Sequence, residues 1–98
     1  MAKLTELTSA QKVFVDYLQK RNRASATILA YGKDIEQLVS FLVGKKITQT
    51  ASVSQKQIED FKKHLSDSGY TAKSVSRKIN SIKTFFRFIK SEGAIAND

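Results

Sequence analysis

Ninety-eight residues contain no cysteine and no proline, and seventeen lysines and arginines stand against nine acids, a net charge of +8. One domain with a single core is expected at this length, and without cysteine neither a disulfide framework nor a thiolate metal site can form. The composition, 41% hydrophobic and 27% charged, is that of a globular chain rather than a disordered one, and a pI near 9.9 points to a polyanionic partner, nucleic acid first and anionic membrane second.

The opening residues, Met1 to Glu6, lack the apolar core of a secretory signal. No apolar run approaches a bilayer span, so no membrane partner is expected, and the absence of cysteine points to a reducing, cytoplasmic compartment. Four amphipathic segments follow, predicted as helices at about 9–21, 25–43, 55–67 and 72–91. In the first, Ala10, Val13, Phe14, Tyr17 and Leu18 recur at helical spacing, and Thr8 with Gln11 reads as a capping-box start. The second places Ile28, Tyr31, Ile35, Leu38, Val39 and Leu42 on one side, with Gly44 as a left-handed C-cap before Lys45 and Lys46. Gly32 inside it costs about 1 kcal/mol against alanine. Close approach of DNA or of a neighbouring backbone would explain it, and so would an incidental surface position.

The stretch from Ile47 to Val53 is rich in β-branched and hydroxyl residues and is predicted as a loop. Ser54 with Gln57 is a second capping-box signature, opening a helix with Ile58, Phe61 and Leu65 inward and Gly69 at its end. The last segment carries Val75, Ile79, Ile82, Phe86 and Ile89 as its stripe and ends at Gly93. No segment alternates as a strand does and no internal repeat is present. The chain is therefore expected to be an all-α bundle, with Phe14, Ile35, Leu38, Phe61, Leu65, Val75, Ile79 and Ile82 in its core.

The charge is unevenly distributed. Lys73, Arg77, Lys78, Lys83, Arg87 and Lys90 lie between Thr71 and Ser91 with no acid among them, while the remainder holds eleven bases against nine acids. On a helical wheel Lys73, Arg77, Asn80 and Thr84 oppose the apolar stripe, with Ser76, Lys83 and Arg87 on one flank and Ser81 on the other. A solvated helix face normally interleaves both signs, as Glu59 and Lys63 do on the third segment. A single-signed face that mixes lysine, arginine, asparagine and hydroxyls suits duplex DNA, with cations on phosphates and arginine or asparagine on base edges. Arg77→Ala and Lys73→Ala are expected to weaken duplex binding with thermal stability nearly unchanged, and Lys56→Ala to do much less. A different class of reading is an autonomous basic helical protein-interaction module. A membrane-surface helix is disfavoured, because the apolar faces are needed for a shared core.

The order of these features resembles the N-terminal core-binding domain of the tyrosine recombinases, the phage integrase and Xer-type family. Residues 24–35, Ala-Ser-Ala-Thr-Ile-Leu-Ala-Tyr-Gly-Lys-Asp-Ile, are similar to that family's Thr-Leu-x-x-Tyr-x-x-Asp-Leu pattern. Residues 54–61 resemble its third-helix start, residues 69–88 its fourth helix, and residues 92–97 the segment leading into an interdomain linker. Gly32 and Ala26 depart from the basic residue and the proline or asparagine common there, which implies fewer phosphate contacts from the second helix. The resemblance implies a compact orthogonal four-helix bundle, a SAM-like core-binding domain spanning residues 1–98. It further implies half of a clamp around a recombination half-site in double-stranded DNA. The implied partners are a C-terminal catalytic domain of the same polypeptide and other recombinase protomers in a synaptic assembly. Carried over by position, Lys73, Arg77, Asn80, Ser81 and Thr84 would meet DNA from the fourth helix, with Lys83 and Arg87 on phosphate. From the second helix Thr27, Ala30 and Lys33 would face DNA, with Ser25 near a phosphate.

The family's catalysis uses a tyrosine nucleophile with arginines, a lysine and histidines in a separate domain, so no catalytic residue and no cofactor are expected here. Tyr17 and Tyr31 sit on apolar helix faces as packing residues, and Tyr70 follows Gly69 where a hydrophobic contact across the helix end is expected. His64 has no second histidine, cysteine or carboxylate at ligand spacing, so no metal is expected. No phosphate-binding glycine loop and no Gly-x-Ser-x-Gly elbow is present. Phe85 and Phe88 lie off the main stripe of the last helix. Packing against the first helix is the plain reading, and a stacking platform for single-stranded bases is the alternative.

Overall fold

Four long helices and two single turns make up the computed structural model, which describes residues 2–21 and 24–93. The turn α1 (Ala2–Thr5) precedes α2 (Leu7–Lys20), α3 (Ser25–Gly44), a 3₁₀ turn at Thr50–Ser52, α4 (Gln55–Asp67) and α5 (Ala72–Ser91). No strand occurs among the described residues, and the fold is all-α.

Both ends of α4 and the start of α5 have local causes. Ser54 and Gln57 close the expected capping box, the Ser54 amide donating to Gln57 Oε1 at 2.7 Å. Thr71 caps α5 by accepting from the Ser74 amide at 3.1 Å. At the end of α4 the Tyr70 amide bonds Leu65 O and the Gly69 amide bonds Ser66 O, at 3.2 and 3.1 Å. That pair of bonds is a Schellman closure, and it requires the left-handed φ of +98° that Gly69 supplies.

Two expected ends are corrected. The helix α2 starts at Leu7, and its N-cap is Glu6 rather than a residue near Thr8. Leu4 and Leu7 are buried and draw the N-terminal turn into the core. The Leu7 amide bonds Thr48 O at 2.8 Å, while buried Thr50 donates its hydroxyl to Leu4 O at 2.8 Å and Thr5 O at 3.2 Å. The α3–α4 connection is thus fastened to the start of the chain by long-range bonds. At the end of α3, Gly44 is the last helical residue and Lys46 takes the left-handed φ of 66°. The Ile47 amide bonds Leu42 O and the Lys46 amide bonds Val43 O, both at 2.9 Å, the Schellman pattern again. Closing that pattern so that half-buried Ile47 meets the core places the positive φ two residues past the glycine.

All eight expected core residues are buried. Each large side chain fully buried here is worth about 1.5–3 kcal/mol in transfer from water. Phe14 of α2 lies 5.3 Å from Phe85 and 5.6 Å from Phe88 of α5, and Tyr17 lies 4.5 Å from Phe88, ring centroid to centroid. The aromatic end of α5 is therefore packed against α2, with Phe85 fully buried and Phe88 nearly so. At Gly32 a Cβ would meet only Val15 Cγ2, at an ordinary 3.8 Å, so no neighbouring backbone requires the glycine.

Candidate nucleic-acid interface

The interface is built on α5 and the N-terminal half of α3. The centre of their contact is a carboxylate, although both helices present apolar stripes there. Asp34 of α3 is 1% exposed and accepts four hydrogen bonds from α5. Its Oδ2 accepts from Arg77 Nη1 and Ser81 Oγ, both at 2.7 Å, and its Oδ1 from Lys78 Nζ at 3.1 Å and Arg77 Nη2 at 3.2 Å. Two oxygens with about four lone-pair sites are thereby saturated. A buried charge is tolerated because it is paired and fully hydrogen-bonded. Lys78 also sits 5.0 Å above the Tyr70 ring, and the Tyr70 hydroxyl accepts from Gln37 Nε2 at 3.1 Å. The turn before α5 is thus tied to α3 as well.

This network corrects three expectations. Ser81 is buried with its hydroxyl on Asp34, so its side chain holds the two helices together instead of facing outward. Arg77 projects from the stripe but pairs bidentately with Asp34 while its side chain stays 54% exposed, so its removal bears on stability too. At Tyr70 the expectation lacked the polar partners: its hydroxyl accepts from Gln37 and its ring lies under Lys78.

The expected contact residues fall into separate groups. Thr27, Ala30, Arg77, Asn80 and Ser81 line one shallow groove of about 330 Å³ between α3 and α5, together with Ala26 and Tyr31. Lys83 and Arg87 lie on the other flank of α5, rimming a groove against α4 whose floor is Ile58, Ile79, Ile82 and Phe86. Lys73 is exposed at the start of α5. Thr84 is half-buried and donates to Asn80 O at 3.0 Å within its own helix. Ser25 and Lys33 are exposed but border the groove between α3 and α2 instead. The only carboxylate on α5 or on the first three turns of α3 is Asp34, and it is buried. Their outer surface therefore carries cations, amides and hydroxyls without an exposed acid.

The remaining polar aromatics pack. His64 lies tilted 4.9 Å from Phe41, and Tyr31 meets Phe14 edge-on at 6.2 Å. No helix among the described residues is long and apolar enough to cross a membrane. Asp34 is the residue at this contact that charge and periodicity passed over. A carboxylate on the apolar side of α3 facing an acid-free basic helix was the available signal.

The model of the phage integrase N-terminal SAM-like domain matches residues 12–93. Tyrosine recombinase XerC of Oceanobacillus iheyensis is 34% identical over 83 residues, which are 84% of this chain and 27% of that protein. Tyrosine recombinase XerD of Bifidobacterium longum is 30% identical over 79 residues, 81% of this chain and 26% of its own. The chain thus spans about a quarter of the length of the curated relatives it matches. The crystal structure of the N-terminal domain of a phage integrase/site-specific recombinase from Haloarcula marismortui superposes with a TM-score of 0.89 at 12% identity, covering 96% of this chain and 89% of that one. With a match over nearly its whole length and the same all-helical architecture, this chain belongs to the phage integrase N-terminal SAM-like domain family.

Proposed function

We propose that this chain is the DNA-binding N-terminal domain of a site-specific tyrosine recombinase, one half of a clamp around a recombination half-site in DNA integration or recombination. The observation that carries the reading is the outer surface of α5 and early α3, basic and free of exposed carboxylate. Lys73, Lys83 and Arg87 are positioned for phosphates, and Asn80 and Arg77 for base edges in the α3/α5 groove. Thr27 and Ala30 form the opposite wall of that groove, while Lys33 and Ser25 extend the exposed surface of α3 toward α2. The relatives named as tyrosine recombinases support this reading, as does the domain family itself.

The partners are double-stranded DNA, a catalytic domain of the same polypeptide and further recombinase protomers. Bond breaking belongs to that other domain. Tyr17, Tyr31 and Tyr70 of this chain are engaged in packing or in the α3–α5 tie.

Retention of mixed-sequence duplex by the 98-residue chain, repeated at rising salt, tests the reading. Half a clamp lacks the effective concentration supplied by a linked second half. A Kd of roughly 10⁻⁴–10⁻⁶ M that weakens steeply with salt is expected. Lys73→Ala should lower the salt slope by about one unit, and Lys56→Ala on α4 should leave it nearly unchanged. A nicked suicide duplex should yield no covalent adduct. Absence of retention at low salt would favour a module that docks an acidic protein.

A further inference from the structure

The cations of α5 are not equivalent, and Asp34 divides them. Lys73, Lys83 and Arg87 are exposed lysine and arginine side chains with no carboxylate partner among the described residues. Arg77 differs in charge and in geometry. Its positive charge faces a carboxylate at 2.7 Å, so an ion pair with a phosphate would have to compete with one already formed.

Of the five N–H donors of a guanidinium, Asp34 takes one from Nη1 and one from Nη2, which uses the end of the fork. The side edge, Nε with the second Nη2 proton, bonds nothing among the described residues, and the side chain is 54% exposed. Asp34 in turn cannot swing, because Lys78 and Ser81 hold its other lone pairs and it is 1% exposed. The result is a planar two-donor edge, fixed in orientation and compensated in charge, on the wall of a groove that also presents the Asn80 side chain. A fixed pair of parallel donors matches the O6 and N7 acceptors of guanine in the major groove. A phosphate needs only a cation and no such fixing.

We infer that Arg77 is the sequence-reading side chain of this face, recognising a guanine edge, and that Asp34 is its positioning residue. This rests on the proposed DNA binding and names the base class that the α3/α5 groove selects. Arg77 then supplies discrimination with little salt dependence, while Lys73, Lys83 and Arg87 supply affinity without discrimination.

The test starts with selection of bound sequences from a pool of random 30-bp duplexes by the 98-residue chain at low salt. The enriched duplex is then compared with the same duplex carrying 7-deazaguanine, which lacks the N7 acceptor. The expected result is an enriched guanine whose replacement by 7-deazaguanine weakens wild-type binding roughly tenfold, the lower part of the range for a bidentate contact. Arg77→Lys keeps the charge and a donor to Asp34 but lacks the side edge, so it should bind both duplexes equally with an unchanged salt slope. Lys73→Ala should keep the tenfold ratio and lose about one unit of slope. Asp34→Asn, checked for folding by its melting transition, should lose the ratio while Arg77 is still present. A guanine preference that survives in Arg77→Lys, or no enriched guanine at all, overturns the inference and leaves DNA binding standing. Failure of the wild-type chain to retain any duplex overturns both.

Discussion

Two of the seams that hold helix α5 are opposite in character. Against α2 it packs rings: Phe14, Phe85 and Phe88, with Tyr17 stacked beside them. Against α3 it is gripped by a carboxylate with three α5 partners, Arg77, Lys78 and Ser81. The aromatic seam gains from area and dispersion, which are nearly indifferent to small rotations. The ionic seam is directional, because four hydrogen bonds to one carboxylate are satisfied at one helix rotation only. The first seam therefore stabilises by burial, and the second sets which side of α5 faces out. Neither seam responds strongly to salt, since the rings carry no charge to screen and the Asp34 carboxylate is shielded by burial.

Phe14→Ala should have the largest effect, about 3–5 kcal/mol lost in denaturant unfolding, because four rings surround this fully buried side chain. A loss below about 1 kcal/mol would show that the aromatic seam collapses onto the cavity and is not the main support. Asp34→Ala comes next, at about 3 kcal/mol, since it leaves Lys78, 10% exposed, without its counter-charge. Replacing Asp34 and Lys78 together by leucine should recover most of that loss, yet leave duplex binding impaired as Arg77 loses its seat. Recovery of both stability and binding would mean that the ionic seam has no orienting role.

Smaller effects calibrate the comparison. Thr50→Val, outside both seams, should cost about 1–2 kcal/mol by leaving Leu4 O without its donor, read as a lowered melting temperature with faster exchange of the Leu7 amide. Arg77→Ala should cost about 1 kcal/mol, because its side chain is half in solvent and Lys78 and Ser81 remain on Asp34. Lys73→Ala should fall within about 0.5 kcal/mol of wild type in stability, its effect confined to duplex binding. A ranking of Lys73 above Arg77 in stability would contradict the division between paired and solvent-facing cations.

Four helices, their approximate ends and eight core residues were legible because an apolar stripe and a capping box are local patterns. Ser54 with Gln57, and Gly69 after Leu65, state their roles within a few residues. The start of α2 was misplaced for the same reason in reverse. Its boundary is set by Thr48 and Thr50, from a loop more than forty residues away. The basic face was legible as composition on one helix. Its division was not, since Arg77 and Lys73 are alike on a wheel, and only the approach of α3 distinguishes them.

Helicity, the positions of the stripes and the almost purely basic character of one helix follow from period, propensity and charge count. That Ser81 faces in, that Lys78 is buried and that Arg77 is held by its end with one edge free come from the packing of α3 on α5. Those outcomes depend on Asp34, whose partners lie 43 to 47 residues further along the chain. Direction in a hydrogen bond is a property of two groups in space, and no pattern within one helix contains it.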